Sequence, residues 1–323
     1  MPTQPDVSVV IPTRGRPELV TRAVRSALAQ TIENIEVIVV IDGPDGVSGD
    51  ALKLIDDNRL RIIELPENHG APNARNVGAG EARAAWTALL DDDDEWLPTK
   101  LATQLDLAER SPYEQPIVVS RLVHRTPRAR FVVPRRVPGP GEPISEYLTV
   151  RRGLFHGDGF IQTSTIMAPT GLLRHVPFSV GLRRLQELDW TLRALREPGT
   201  GVAMAGEPLV IWYADENRPR VSFDSPWPEQ LAWIRANRDL FTPRAYAALI
   251  MSAISAMAAP THSPRAFATL LGEAHRRGRP GLLDYVTFLQ VWLVPQGQRR
   301  RWRDLVLGNR HAQSAVTKRA PEA

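Results

Sequence analysis

The sequence predicts an α/β fold: a mixed, mostly parallel sheet flanked by helices, with a helical C-terminal extension. Three observations predict it. Apolar, largely β-branched runs recur early, VSVVI at 7–11, IEVIVVI at 35–41 and WTALL at 86–90, with helix-like stretches between them. Strands alternating with helices at this spacing mark βαβ units. Polar residues leave three of these strands: TRGR at 13–16, Asp42, and an acidic run starting at Asp91. From about residue 226 the pattern becomes helical and apolar or amphipathic, in ALIMSAISAMA, FATLLGEAHRR and LLDYVTFLQVWLV. The expected organisation is an α/β domain over 1–222 and a helical extension with a basic tail over 223–323.

In order, VSVVI stops at Pro12 and reads as a buried strand. After the polar TRGR loop, Pro17 suits a first helical turn, and the helix runs through LVTRAVRSALAQ. IEVIVVI is a second buried strand ending at Asp42, and GPDG turns the chain. A short helix is expected near 50–57, and RLRIIEL (59–65) is a third strand. GAPNARNVGAGEARA has helical spacing, and WTALL is a fourth strand that delivers the acidic run. Residues 97–110 read as a helix entered through Pro98. Farther on, PRARFVVPRRVPGPGEP (127–143) has the composition of a loop. GDGFIQTSTIMAP (157–169) contains a strand-like stretch, LRRLQELDWTLRAL (182–195) is helical, and EPLVIWYAD (207–215) is a last strand.

Composition excludes several classes. The chain has 323 residues, 43% of them hydrophobic and 24% charged, ordinary values for a globular protein. It has no cysteine, so disulfides and thiolate metal sites are excluded, which fits a cytoplasmic location. MPTQPDVSVV lacks a basic stretch ahead of a long apolar one, so no signal peptide is expected. No window reaches the ~18 unbroken apolar residues of a membrane span. A net charge of +4 is too small to argue for nucleic acid.

The acidic run LLDDDDEW (89–96) demands an explanation. Carboxylates crowded at a strand end repel one another unless something positive neutralises them. A divalent cation does so, and hard oxygen ligands suit Mg²⁺ or Mn²⁺. If the run is extended, Asp91 and Asp93 point to one side and face the ion while Asp92 points away. A metal held there would want an anionic partner such as a nucleotide diphosphate. The competing reading is a solvated acidic turn.

The order VSVVIPTRGR, VIVVIDG, GAPNARNVG, LLDDDDEW resembles a family 2 glycosyltransferase with the GT-A fold, over roughly the first two-thirds of the chain. The resemblance implies a nucleotide-diphosphate sugar donor, UDP- or dTDP-linked, and an inverting transfer to a hydroxyl-bearing acceptor. It implies that Pro12, Thr13, Arg14 and Asp42 hold the base and ribose. Arg75 would lie near the base or diphosphate, and the D-x-D motif maps onto Asp91, Asp92 and Asp93. Each has a plainer alternative. Asp42 can cap the GPDG turn, Arg14 and Arg16 can be solvated, with Arg16 the better fit to that role, and Arg75 can be a surface residue.

Sugar transfer to a hydroxyl needs a base. In the family an acidic residue stands six positions before an arginine. Counted back from Arg193, that places Glu187 as the base and leaves Asp189 as the second candidate. The usual residue there is aspartate, so the chain departs from the pattern. The plainer reading is a helix first turn whose acids complement the dipole. Gln162, Thr163 and Trp190 are weaker candidates for acceptor contacts, with ordinary packing the alternative for Trp190. His156 is a loop histidine with no assigned role.

The acceptor class stays open among glycan, lipid-linked, peptide and small-molecule hydroxyls. Arg299, Arg300, Arg301, Arg303, Arg310, Lys318 and Arg319 crowd the C-terminal end beside an apolar helix and Trp302. That pattern suits peripheral contact with an anionic membrane at its cytoplasmic face. A helix packed on the catalytic domain, with a solvated basic tail, is the alternative. Two other functions fit the fold: a nucleotidyltransferase, disfavoured because PTRGRPEL has one glycine and no lysine, and a catalytically silent sugar-nucleotide-binding protein.

Overall fold

A computed structural model describes residues 4–153, 158–214 and 226–317, with side chains as far as 307. His156, Lys318, Arg319, the side chain of Arg310 and the expected boundary at 222 lie outside the described residues.

In chain order the elements are β1 (Val7–Thr13), α1 (Pro17–Leu28), β2 (Ile35–Ile41), α2 (Gly46–Lys53), β3 (Leu60–Glu64), α3 (Ala71–Glu81), β4 (Trp86–Leu89) and β5 (Asp94–Trp96). α4 (Lys100–Glu109), β6 (Gln115–Arg125), β7 (Arg130–Val133), α5 (Ile144–Thr149), β8 (Met167–Pro169), α6 (Thr170–His175), α7 (Gln186–Ala194) and β9 (Thr200–Tyr213) follow. The helical end holds α8 (Trp227–Ala236), α9 (Pro243–Leu249), α10 (Ser255–Ala258), α11 (Pro264–Arg277), α12 (Leu282–Leu293) and α13 (Gln296–Thr317). Two compact units emerge, Met1–Val123 with Ile161–Tyr213, and His124–Phe160 with Ala214–Ala323. Residues 124–160 therefore group with the helical end rather than with the α/β part.

The first unit is built on a mixed sheet of order β3-β2-β1-β4-β8-β6-β9-β5. β1 pairs in parallel with β2 and β4, and β2 with β3; β4–β8, β6–β8 and β5–β9 are antiparallel. All seven residues of β1 and of β2 are buried, which is why both read as near-continuous apolar runs rather than as alternating ones. α3 lies close on β1. A Cβ on Gly78 would come within 2.3 Å of Val10 Cγ1, so only glycine lets the helix approach this far.

Several elements differ from expectation. α2 begins at Gly46 because Asp45 caps it, accepting from the Ser48 N–H at 3.2 Å. α7 begins only at Gln186, after Leu185 in a left-handed conformation (φ 62°). β6 gave no clear signal, its QPIVVSRLVHR mixing apolar and charged residues. The expected loop at 127–143 contains β7, and two of its arginines are paired: Arg136 with Glu142 at 2.6 Å and Arg135 with Asp158 at 2.6 Å.

In the second unit, Glu273 of α11 joins Arg235 of α8 (2.5 Å) to the Tyr246 hydroxyl of α9 (2.7 Å). Asp284 ties the start of α12 to Arg244, and Asp304 of α13 accepts from Thr126 at 3.3 Å.

Candidate functional site

The parallel register decides where polar residues emerge. Thr13 sits opposite Ile41 at the ends of β1 and β2, and Leu89 sits opposite Val10. The next residues continue the pattern, with Asp42 N–H bonded to Thr13 O at 2.9 Å and Leu90 N–H to Val10 O at 3.0 Å. Thr13, Asp42 and the acidic run therefore leave one rim of the sheet, beyond the carboxyl ends of its strands.

The two oxygens of Asp42 accept from the His69 and Gly70 N–H groups at 2.9 and 2.8 Å. Asp42 thus ties the end of β2 to the residues before α3, and Gly70 (φ 89°) supplies the turn. The GPDG turn is held by Asp45 instead, which also accepts from the Gly15 N–H. Burial pushes the Asp45 carboxyl up, but hydrogen bonds from Ser48 and Gly15 and the nearby Arg14 charge hold it below its ordinary range. Pro12 is buried within β1, while Arg14 is exposed on the loop.

The acidic run is not extended. Asp94 N–H bonds back to Asp91 O at 3.1 Å, closing a turn before β5 begins. Asp92 points inward, accepting from Thr13 Oγ1 at 2.8 Å and Arg16 Nη1 at 2.9 Å. Arg16 is thus half-buried and paired, not a solvated loop residue. The turn gathers Asp91, Asp93 and Asp94, one carboxylate oxygen of each lying within 4.8 Å of the others. Asp94 belongs to this set although strict alternation along an extended strand would send it the other way.

The surroundings are polar and tightly tied. Asp91 accepts from Arg75 Nη2 at 2.6 Å and from Gln162 Nε2 at 3.2 Å. Arg75 is buried, reaches Gln186 Oε1 at 2.8 Å, and stands over the Phe178 ring at 5.5 Å, so it is no surface arginine. Asp94 is fully buried; Ser164 Oγ and Gln162 Nε2 both donate to its Oδ2 at 2.6 Å, and its Oδ1 has no hydrogen-bond partner. Burial pushes Asp94 well above the usual carboxylate range, with the Asp93 and Asp91 charges adding to it. Burial also raises Asp92, to about 6, where Arg16 pulls it down and Asp93 pushes it up.

An oxygen that is buried, unpaired and set among like charges is a poor arrangement for a free carboxylate. It suits a hard divalent cation, and the donor set is all oxygen. Asp91, Asp93 and Asp94 are the residues that would hold one. Next to Gln162 in the chain, Thr163 Oγ1 donates to Glu187 Oε1 at 2.6 Å. Asp189 is buried and engaged elsewhere, accepting from Arg193 Nη2 at 2.7 Å and Ser179 Oγ at 2.8 Å.

Two weaker expectations are corrected. Trp190 is fully buried, stacks on Phe178 at 5.4 Å and donates its indole N–H to Val176 O, so neither ring face is open to a sugar. Gln162 is buried and its amide serves the acid cluster and the Ser164 N–H, not an acceptor surface. Ser164, read from the sequence with Gln162 and Thr163 as an uncharged hydrogen-bonding group near the site, serves the acid cluster instead, donating to Asp94. Asp94 and Asp45 carried no assigned role in the sequence; for Asp94 a signal was present in its place in the run, whereas the role of Asp45 depends on a turn and on a contact made across the fold.

Residues 8–167 match the family model described as Glycosyl transferase family 2. The amylovoran biosynthesis glycosyltransferase AmsB of Erwinia amylovora is 27% identical over 257 residues, covering 74% of this chain and 82% of AmsB. The chain spans only 30% of the length of the first curated relative that it matches. Among solved structures, TarS of S. aureus in complex with UDP-GlcNAc aligns with TM-score 0.53 at 16% identity, over 92% of this chain and 78% of that one. The mannosyltransferase PcManGT of Pyrobaculum calidifontis, in complex with GDP-Man and Mn²⁺, aligns with TM-score 0.55 at 16% identity, over 94% and 88%. The architecture is therefore GT-A. Residues 8–167 therefore form a region of glycosyltransferase family 2.

Proposed function

We propose that the enzyme moves a sugar from a UDP- or dTDP-linked donor to an acceptor hydroxyl with inversion, using Asp91, Asp93 and Asp94 to hold Mn²⁺ or Mg²⁺ and Glu187 as the base. The observation that carries this reading is the adjacency of Gln162 and Thr163. Gln162 bonds to Asp91 and Asp94, and its neighbour Thr163 bonds to Glu187. Two consecutive residues thus span the distance from the acid cluster to the only one of the two candidate bases not locked in an ion pair.

A bound divalent ion supplies positive charge that neutralises a diphosphate leaving group. The chain's own residues do the rest. Pro12, Thr13, Arg14 and Asp42 line the rim where the base and ribose fit, and Arg75 contributes a buried positive charge toward the diphosphate. Glu187 accepts the proton of the acceptor hydroxyl as its oxygen attacks the anomeric carbon, and Thr163 fixes the carboxylate's direction. One displacement with no covalent intermediate inverts the anomeric configuration. AmsB is a glycosyltransferase of amylovoran biosynthesis, which supports a glycan or glycan-precursor acceptor.

A panel of sugar nucleotides, assayed for nucleoside diphosphate release with and without EDTA and read by product mass and anomeric NMR, tests this. EDTA-sensitive release with an inverted product is expected. Pyrophosphate release from nucleoside triphosphates would instead identify a nucleotidyltransferase, and binding without turnover a silent protein.

A further inference from the structure

α12 has two apolar faces. Thr287, Phe288 and Val291, with Asp284, are buried against the rest of the helical unit. The opposite face carries Leu282, Val286, Leu289 and Leu293, spaced four, three and four apart and 84, 41, 48 and 75% exposed. That spacing draws one stripe along the helix. α13 repeats the arrangement. It buries Asp304 and Leu307 and exposes Trp302, Leu305 and Val306 on the other side.

The charges around these stripes have one sign. Between residues 275 and 307 the acids are Asp284 and Asp304. Both are buried and paired inside the unit, Asp284 with Arg244 and Asp304 with Arg303 and Thr126. The arginines of the segment are Arg276, Arg277, Arg279, Arg299, Arg300, Arg301 and Arg303. Arg276, Arg277 and Arg279 are exposed just before α12, and Arg300 and Arg301 just after it. The exposed charge contributed by this stretch is therefore entirely positive, at both ends of the leucine stripe.

We propose that α12 and the first turns of α13 form a docking surface for an anionic lipid bilayer, with the leucine stripe and Trp302 entering the headgroup boundary and the arginines meeting lipid phosphates. No helix among the described residues is long and apolar enough to cross a membrane, and twelve residues of α12 fall well short of the ~20 that a span needs. The helix therefore lies in the interface plane. A second copy of the chain fits worse, because a two-fold contact lays a patch on itself and would set these arginines against their own counterparts. The surface is independent of which sugar or acceptor the enzyme uses.

Flotation of the full chain with phosphatidylcholine vesicles, with and without phosphatidylglycerol, tests it. Binding should need phosphatidylglycerol and weaken as salt rises. Leu289→Glu/Leu293→Glu changes only exposed positions, so the melting temperature should hold while partitioning falls about tenfold or more. Arg300→Glu/Arg301→Glu should lower it about thirtyfold. Failure to bind phosphatidylglycerol vesicles, or parental binding by either double variant, overturns the proposal. So does self-association in light scattering that Leu289→Glu/Leu293→Glu abolishes, or binding to acidic proteins in place of vesicles.

Discussion

Glu187 and Asp189 stand two residues apart on α7, yet only Asp189 is locked in an ion pair. Arg193 and Ser179 clamp Asp189 at 2.7 and 2.8 Å, whereas Glu187 is half-buried and takes a hydrogen bond from Thr163. A base must be able to take up a proton. The Asp189 carboxylate is instead turned to Arg193, one helical turn away, and to Ser179. Glu187→Gln should therefore cut kcat by about 10²–10⁴-fold with little change in donor KM. Asp189→Asn should cost about 1–3 kcal/mol of stability and leave kcat within a few-fold. The reverse pattern in steady-state kinetics and thermal melts would make Asp189 the base.

Thr163 is a positioning residue in this scheme. Thr163→Val keeps the shape and removes the donor, so kcat should drop about tenfold while donor KM stays put. Thr163→Ser restores the hydroxyl and should restore most of the rate. If serine rescues nothing, the hydroxyl does not act through Glu187.

Asp94→Asn separates metal binding from folding. Asparagine can keep its oxygen toward Ser164 and Gln162 while its amide faces Asp91 and Asp93, replacing repulsion with attraction. The variant should be more stable by ~1 kcal/mol and should lose Mn²⁺ affinity and metal-dependent turnover. Calorimetric Mn²⁺ titration of the nucleotide-free protein checks it, and undiminished affinity removes Asp94 from the ligand set.

Glu36 gives a pH signature outside the site. It is 2% exposed and accepts from Ser8 Oγ, Arg83 N–H, Arg83 Nε and Arg61 Nη1 at 2.6 to 3.0 Å. Burial pushes its carboxyl up, but those hydrogen bonds outweigh it and hold the group below its ordinary 4.5. A depressed folded value means that the contribution is complete above about 4.5 and is lost as pH falls through the lower folded value. Glu36→Gln should cost about 2–3 kcal/mol at neutral pH. Denaturation curves of parent and variant should converge only in strongly acidic solution.

Close packing at Gly78 is testable alone. Gly78→Ala puts a methyl group into Val10, and α3 must lift from β1. A loss of about 1–3 kcal/mol is expected in urea denaturation. Because α3 carries Arg75 to Asp91, the proposed donor site should loosen as well.

The parallel half of the sheet and the rim that carries Thr13, Asp42 and the acidic run were legible in the sequence. Buried parallel strands must be continuously apolar, and the chain can become polar only where they end. The antiparallel half was less so. β5 and β8 are three residues each, and β6 mixes charge with apolar residues, so neither period nor composition announces them.

By itself the sequence determined that a carboxylate cluster closes β4 and that a second acid pair opens a later helix. Which carboxylates act together was decided only by the tertiary structure. A hydrogen-bonded turn from Asp91 to Asp94 overrode the alternation of an extended strand, and contacts made across the fold by Thr13, Arg16, Gln162, Thr163 and Ser179 gave the acids different sets of partners. Side chains of one chemical type diverge in role through their neighbours, and neighbours distant along the chain are set by folding rather than by local spacing.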